Sequence, residues 1–455
     1  MTTTAETAHA ERAPARGPAR GGGPVLRRTA LHASLSDPTL DTMNFLNEVT
    51  SRYPDAISFA PGRPYEGDFD VAVIPGLIET YLDHLRGLGH SEERIRTALY
   101  QYGETAGQIR DLVARMLEVD EDLTVDPAAV VVTVGCQEAI VLALRTLFRD
   151  PRDVLLVDSP CYVGITGAAG LLGIPVVAVP GGDDGIGARA LDRAVREIEA
   201  GGRRARALYV VPDCSNPSGV SMSRAKRTEL LDAAAEADLL ILEDNPYGVF
   251  STERHPTLKS LDTDRRVLYL GSFAKTAFPG ARVGFVVADQ PVEGADGGPP
   301  TLLAAELAKV KSMVTVNTSS LSQAAVAGLL LRGGGGLRRA NEASARHYRR
   351  TMALLRDTLA EELPSGAPES AGVSWNDPRG GFFLTLDVPF PADGAALHRS
   401  AQEYGVIWTP MRHFHLDRAG DRRIRLSCSY LTTAEAVEGA RRLARFVRDT
   451  GSRTG

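Results

Sequence analysis

Between residues 70 and 287 the chain alternates short apolar runs, rich in β-branched residues, with longer segments whose apolar positions recur at helical spacing. The runs fall at 130–134, 154–157, 175–179, 208–211, 239–242, 267–270 and 283–287. They are nearly continuous in Val, Leu and Ile, as strands covered on both faces must be. This pattern predicts βαβ units building a mostly parallel seven-stranded sheet with helices on both faces. A Gly/Pro/Asp-rich stretch at 289–300 reads as a surface loop and 301–331 as one long helical segment. Residues 332–336, with four successive glycines, read as a hinge. Strands near 381–386 and 424–427 and an amphipathic helix over 434–448 then predict a smaller α+β domain. The expected division is a tail (1–30), an N-terminal arm with part of the small domain (31–69), a large domain (70–331) and a small C-terminal domain (332–455).

The tail is mostly Ala, Thr, Pro, Gly and Arg, a composition that buries too little apolar surface to order itself, and is expected to be disordered. Its five Arg against two Glu leave a targeting role as a second reading. Across all 455 residues, 43% are apolar and 24% charged, with a net charge of −6, which gives no basic excess for nucleic acid or anionic lipid. Cys136, Cys161, Cys214 and Cys428 lie far apart, without the spacing of a zinc site or the density of a disulfide scaffold, so reduced thiols and no metal are expected. No apolar run approaches the roughly 18 residues of a membrane span, and the N-terminal residues lack the short apolar stretch expected of a secretion signal. The expectation is a soluble cytoplasmic protein.

Sheets of this kind bind ligands outside the carboxyl ends of their strands, and the chemically suggestive residues cluster there. Ser272-Phe-Ala-Lys275, with Arg282 seven residues on, lies in a turn between two strands. A partly desolvated lysine there has a lowered pKa and can form an imine, while Ser272 and Arg282 can grip a phosphate. A surface lysine with a structural arginine is the plainer reading. Asp244 ends an apolar strand just before Tyr247; it suits a cationic ring nitrogen or, alternatively, a helix cap. Asn216, in the turn Asn216-Pro217-Ser218-Gly219, can donate to a phenolate oxygen or simply shape the turn. Gly135-Cys136-Gln137 opens a helix after a strand, where free N–H groups and the helix dipole can cradle phosphate. Cys136 reads as a tolerated small residue rather than a reactive thiol. Tyr162 can stack on a flat cofactor or pack in the core. Arg425 alternates with Ile424 and Leu426 on a small-domain strand, facing a cleft to bind a carboxylate or making a surface salt bridge.

Taken in order, Tyr102-Gly103 with Gly107, Gly135-Cys136-Gln137, Tyr162, Asn216-Pro217-Ser218-Gly219, Asp244 with Tyr247, Ser272 with Lys275 and Arg282, and Arg425 resemble the class I/II aminotransferases of pyridoxal-5′-phosphate (PLP) fold type I. The resemblance covers roughly residues 57–448 and is nearest the aminoadipate and kynurenine aminotransferase branch. It implies Lys275 as Schiff-base lysine and proton shuttle, Asp244 on the pyridine nitrogen, Asn216 and Tyr247 on the ring hydroxyl, and Tyr162 stacked on the ring. Ser272, Arg282 and Gly135–Gln137 would hold the phosphate, with Tyr102 reaching in from a partner subunit of a homodimer. Arg425 would bind the substrate carboxylate, with Gly62 and Asn216 beside it.

Departures from the family pattern gather on the substrate side. Gly-Gly-x-Pro becomes Pro61-Gly62-Arg63-Pro64, and Pro-Gly before a Phe becomes Pro410-Met411-Arg412-His413-Phe414. Ser218 and Ala274 are milder changes. Arg63, Arg412 and His413 are thus candidate substrate contacts or solvated surface. The implied activity is transamination between an L-amino acid and a 2-oxo acid. The alternative is another PLP reaction on the same shell: β/γ-elimination or replacement, carbon–carbon bond formation or oxidation. A regulator with an aminotransferase-like domain would need some sixty ordered residues ahead of that domain, against the thirty-residue tail expected here.

Overall fold

The computed structural model describes residues 26–37, 40, 48–294 and 297–452. The expected tail therefore lies outside the described residues except at 26–30, where Arg28–Ala30 forms an exposed 3-10 turn. All seven apolar runs form strands. They are β1 (Val130–Thr133), β2 (Asp153–Ser159), β3 (Val176–Gly182), β5 (Arg204–Val210), β6 (Leu240–Asp244), β7 (Val267–Ser272) and β8 (Gly284–Val287). An eighth, the two-residue β4 (Gly185–Ile186), folds back antiparallel on β3 as an edge hairpin. The sheet order is β1-β8-β7-β6-β5-β2-β3-β4. Neighbouring strands from β3 through β2, β5 and β6 to β7 are parallel. β8 is antiparallel to both β7 and β1, because the eleven residues between Ser272 and Gly284 are too few for a parallel crossover. Its reversal brings the residues just before Gly284 to the edge where β1, β5, β6 and β7 end.

The βα alternation begins later than the pattern suggested. Residues 70–129 hold three helices, α1 (Val73–Gly87), α2 (Glu92–Tyr100) and α3 (Arg110–Glu121), and none of the named strands. On α1 only Leu77, Tyr81 and Leu85 are buried, a four-residue repeat that lays one stripe against the core. Helices α4 (Gly135–Leu147), α5 (Val163–Leu172), α6 (Ala188–Ala200) and α7 (Arg224–Glu236) then alternate with the strands. The single helix expected at 301–331 is two, α8 (Leu303–Val314) and α9 (Ser320–Arg332). Between them the hydroxyls of Thr315 and Thr318 donate to Glu138 and to the Val132 carbonyl, and Val316 turns to φ +66°. β-branched side chains bonded elsewhere compete with helix continuation. The loop at 289–300 is pinched by a short hairpin, Pro291–Val292 with Thr301–Leu302. The glycine run is a turn with Gly334 and Gly335 at positive φ, anchored where the Leu337 N–H donates to buried Asp120 at 2.6 Å.

The smaller sheet is antiparallel, with strands β9 (Ser374–Trp375), β10 (Phe383–Asp387), β11 (Thr409–Pro410) and β12 (Arg423–Ser427) in the order β9-β10-β12-β11. Helices α10 (Glu342–Glu362) and α11 (Thr433–Gly451) cover one face, burying Leu355, Leu359, Leu443 and Phe446 against Leu384, Leu386, Ile424 and Leu426. The capping box of Thr432 and Glu435 fixes the start of α11. The arm joins this layer where Ile57–Ser58 pairs with Val406–Ile407. With even-numbered residues of β10 and β12 committed to the helices, Phe383, Thr385, Arg425 and Ser427 take the other face. Among the described residues, no helix is long and apolar enough to cross a membrane.

Candidate active site

Where the two sheets meet, a cavity of about 750 Å³ opens over the carboxyl ends of β1, β5, β6 and β7. Each of those ends contributes a residue singled out from the sequence. After β1 the chain enters α4 through Gly135 at φ +70°, a conformation that glycine adopts without strain. A Cβ there would lie 2.4 Å from Nη2 of Arg282, so the bare backbone and that guanidinium share one niche. Arg282 reaches it from the turn before β8. Its guanidinium is exposed and makes no hydrogen bond or ion pair with a described residue. Gln137 donates to the Gly164 carbonyl at 2.8 Å, tying the start of α4 to α5, and Ser272 at the end of β7 lines the same wall.

Asp244 ends β6, almost wholly buried. Its Oδ2 accepts from the Tyr209 hydroxyl at 2.6 Å, and its Oδ1 accepts from Cys136 Sγ at 3.4 Å. Burial pushes its carboxyl up to about 6, against the pull of those two donors and the charge of Lys275. Lys275 follows β7, and Nζ donates to the Gly62 carbonyl at 2.6 Å. Desolvation, then the charges of Arg425 and Arg282, bring its amine down to about 8.

Arg425 enters from β12. Nη1 donates to Asn216 Oδ1 at 2.7 Å and Nη2 to the Ala60 carbonyl at 2.6 Å, with Thr409 Oγ1 at 3.3 Å. Its guanidinium lies between the rings of Phe383 and Phe414, 4.6 and 4.9 Å from their centroids, and Nε has no partner. Burial lowers even this group, to about 10. Asn216 also lies close to Tyr247, whose phenol burial drives well above its ordinary range. Gly219 closes the Asn216 turn at φ +72°, and a Cβ there would strike the Phe383 carbonyl at 2.4 Å, so the turn can pack on β10 only as glycine. Tyr162, at the start of α5, lines the cavity, with burial raising its phenol to about 12.

The cavity thus gathers Gly62, Cys136, Gln137, Tyr162, Asn216, Asp244, Tyr247, Ser272, Lys275, Arg282 and Arg425, with Gly135 one residue behind. Tyr102 is not among them: it is 85% exposed on the loop after α2. Arg63 lines the mouth. Arg412 and His413 do not; Arg412 instead faces Asp421 at 4.0 Å. Sequence reasoning missed Tyr209 and the two rings around Arg425. Tyr209 lies on the strand that leads into the Asn216 turn, but its link to Asp244 crosses strands. Phe383 could have been found from its alternation with Leu384 and Leu386.

The sequence model for aminotransferases of class I and II matches residues 67–443. The (S)-3,5-dihydroxyphenylglycine transaminase of Amycolatopsis orientalis is 48% identical over 423 residues, spanning 93% of this chain and 94% of that protein. The multiple-substrate aminotransferase of Thermococcus profundus superposes with a TM-score of 0.76 at 28% identity, covering 90% of this chain and 95% of that one. The α-aminoadipate aminotransferase LysN of Thermus thermophilus, solved with N-(5′-phosphopyridoxyl)-L-leucine, gives 0.74 at 28% identity over 92% and 98%.

Proposed function

This chain belongs to the class I and II aminotransferase family and is a PLP-dependent transaminase of fold type I, and from that premise we propose roles for its own residues. The cavity has the donor set that the cofactor requires. The Gly135 niche, with the uncommitted Arg282 guanidinium, suits a phosphate, and buried Asp244, which the hydroxyl and thiol leave without a fixed cationic partner, suits a protonated ring nitrogen. Ser272 and the N–H groups of Cys136 and Gln137 would complete the phosphate shell. Tyr162 would cover the ring, and Asn216 and Tyr247 would serve its hydroxyl. When bound, the cofactor supplies an electron sink for the pair left by the substrate's α-proton.

Lys275 would hold the cofactor covalently, and its Nζ, once free, would move the substrate's α-proton, a task for which an amine brought down to about 8 is suited at neutral pH. Arg425 binds the α-carboxylate. Its side chain is prepositioned by Asn216 and Ala60, and the two flanking rings exclude water from it. Phe414 and Tyr162 offer aromatic surface to the substrate side chain. With the dihydroxyphenylglycine transaminase as a 48% identical relative, this supports an amino acid carrying an aromatic ring as one substrate.

The protein is proposed to work as a cytoplasmic homodimer whose sites share residues across the interface. Tyr100, Tyr102, Met313, Val314, Val316 and Leu321 are all exposed apolar or aromatic side chains, and a partner subunit would cover them. A large domain over 70–331 and a small one over 332–455 are proposed, with the arm joining the latter, which the pairing of Ile57–Ser58 with Val406–Ile407 supports.

The observation that carries this reading is that Lys275, Asp244 and Arg425 line one cavity from two sheets. To test it, purified protein is given a panel of amino acids without any 2-oxo acid. One equivalent of 2-oxo acid per site, with a matching change in cofactor absorbance, is the expected result and names the donor. Repeated turnover without an acceptor would refute transamination as the reaction of this site.

A further inference from the structure

The Asp244 carboxylate is held by a side chain that the assigned roles leave unused. Tyr209 sits on β5 opposite Leu242 of the adjacent β6, so its ring and Asp244, two residues on, share one face of the sheet. Its hydroxyl is buried and its hydrogen bond goes to Asp244 Oδ2 at 2.6 Å. Cys136, from the first turn of α4, takes the other oxygen. We propose that Tyr209 is a positioning residue of the transaminase site: with Cys136 it fixes the Asp244 carboxylate in its ionised form at the cavity wall, ready for the cofactor's ring nitrogen. This rests on the cofactor assignment above.

The chemistry of the donors supports the assignment. An ionised carboxylate accepts both bonds at full strength, whereas a protonated one is a weaker acceptor whose own O–H needs an acceptor in turn. The pair therefore selects the charge state as well as the rotamer. The other titratable groups facing Asp244 are Lys275 after β7, Tyr162 at the start of α5 and Tyr247 beyond β6. Lys275 is the cation among them, and covalent attachment of the cofactor would consume its free amine. Burial works against ionisation here, so removing a donor moves Asp244 further toward its neutral form. A phenylalanine would fill the same core space; the hydroxyl costs desolvation and needs this bond to offset it.

The test measures the dissociation constant of PLP from the apoenzyme between pH 5 and 8.5, by fluorescence quenching, for wild type, Tyr209→Phe, Cys136→Ala, Asp244→Asn and the Tyr209→Phe/Asp244→Asn double variant. In wild type, affinity weakens as pH falls through the range where Asp244 takes up a proton. With Tyr209→Phe that midpoint should rise by about one pH unit, a tenfold change in proton affinity. Cys136→Ala should shift it the same way by less, and it keeps the proposal testable if Tyr209→Phe folds poorly. In the Asp244→Asn background, Tyr209→Phe should change nothing further. A Tyr209→Phe midpoint equal to wild type, with Asp244→Asn abolishing the pH limb, overturns the positioning role alone. An Asp244→Asn variant that keeps both wild-type affinity and its pH dependence overturns the cofactor assignment as well.

Discussion

Replacing Lys275 by methionine should end transamination and yet stabilise the cofactor-free protein. The ammonium sits largely out of water and, secondly, among Arg425, Arg282 and Arg63, so its affinity for a proton falls from the ordinary 10.5 to about 8. That difference disfavours the charged form in the folded state by about 3 kcal/mol. The hydrogen bond to Gly62 and the residual exposure of the side chain return part of this, leaving an expected gain for Lys275→Met of ~1–2 kcal/mol, or about 1–4 °C in Tm. Below pH 8 the folded and unfolded chains both carry the proton and the wild type bears the full cost. Between pH 8 and 10.5 the folded chain has released a proton that the unfolded chain still holds, so wild-type stability rises with pH and the advantage of the variant shrinks. Thermal unfolding of both proteins at pH 7, 8, 9 and 10 reads this directly. Both must be free of PLP, since a ligand bound to the native state alone would stabilise the wild type by mass action. A variant less stable than wild type at pH 7, or a gap that does not change with pH, would refute the reasoning.

Three further expectations follow from named contacts. Arg425→Lys keeps the charge but loses the planar fork between Asn216 and Ala60; KM for the amino acid should rise about 10- to 100-fold in steady-state assays, with kcat less affected. Gly135→Ala forces a Cβ to 2.4 Å from Arg282 at φ +70°, so equilibrium dialysis should show PLP affinity reduced at least tenfold, and an unchanged affinity would remove Gly135 from the phosphate niche. Lys311 is fully buried and donates to Glu138, which in turn accepts from the Val134 N–H. Lys311→Ala leaves that carboxylate unpaired and should cost ~3–5 kcal/mol in denaturant unfolding, whereas Lys311→Met with Glu138→Gln should recover most of the loss.

The parts of this molecule that were legible in the sequence are those where one local signal suffices. Runs such as Val130-Val131-Val132 announce a strand covered on both faces, and the turn that follows such a run announces a strand-end site; Gly135, Asn216, Asp244 and Lys275 all lie at such strand ends. Direction and continuity were less legible. The reversal of β8 depends on the length of its connection, and the break between α8 and α9 depends on where Thr315 and Thr318 send their hydroxyls. Three-dimensional neighbours outside the family motifs were not legible. Tyr209 lies 35 residues from Asp244, and Phe383 and Phe414 reach Arg425 only because three strands and a turn of the small sheet converge. Arg412 and Arg63 looked equivalent as charges near a mouth, and only the backbone path of each decides which one lines the cavity.

The electrostatics of the cavity bind these residues into one device. Lys275, Arg425, Arg282 and Arg63 face it with positive charge, while Asp244 is the carboxylate on its wall and burial keeps the phenols of Tyr162 and Tyr247 neutral. Such a cavity attracts anions, and a phosphate at Arg282 and a carboxylate at Arg425 would satisfy its two best-formed guanidinium sites. Desolvation, and after it the same guanidinia, push the Lys275 amine toward neutrality, which favours its attack on an aldehyde. Anions seated at Arg282 and Arg425 would screen the guanidinium part of that push, while desolvation, its largest cause, would remain. The burial of the site thus keeps the Lys275 amine close to neutrality, as is required of a lysine that first attacks an aldehyde and later accepts a substrate proton.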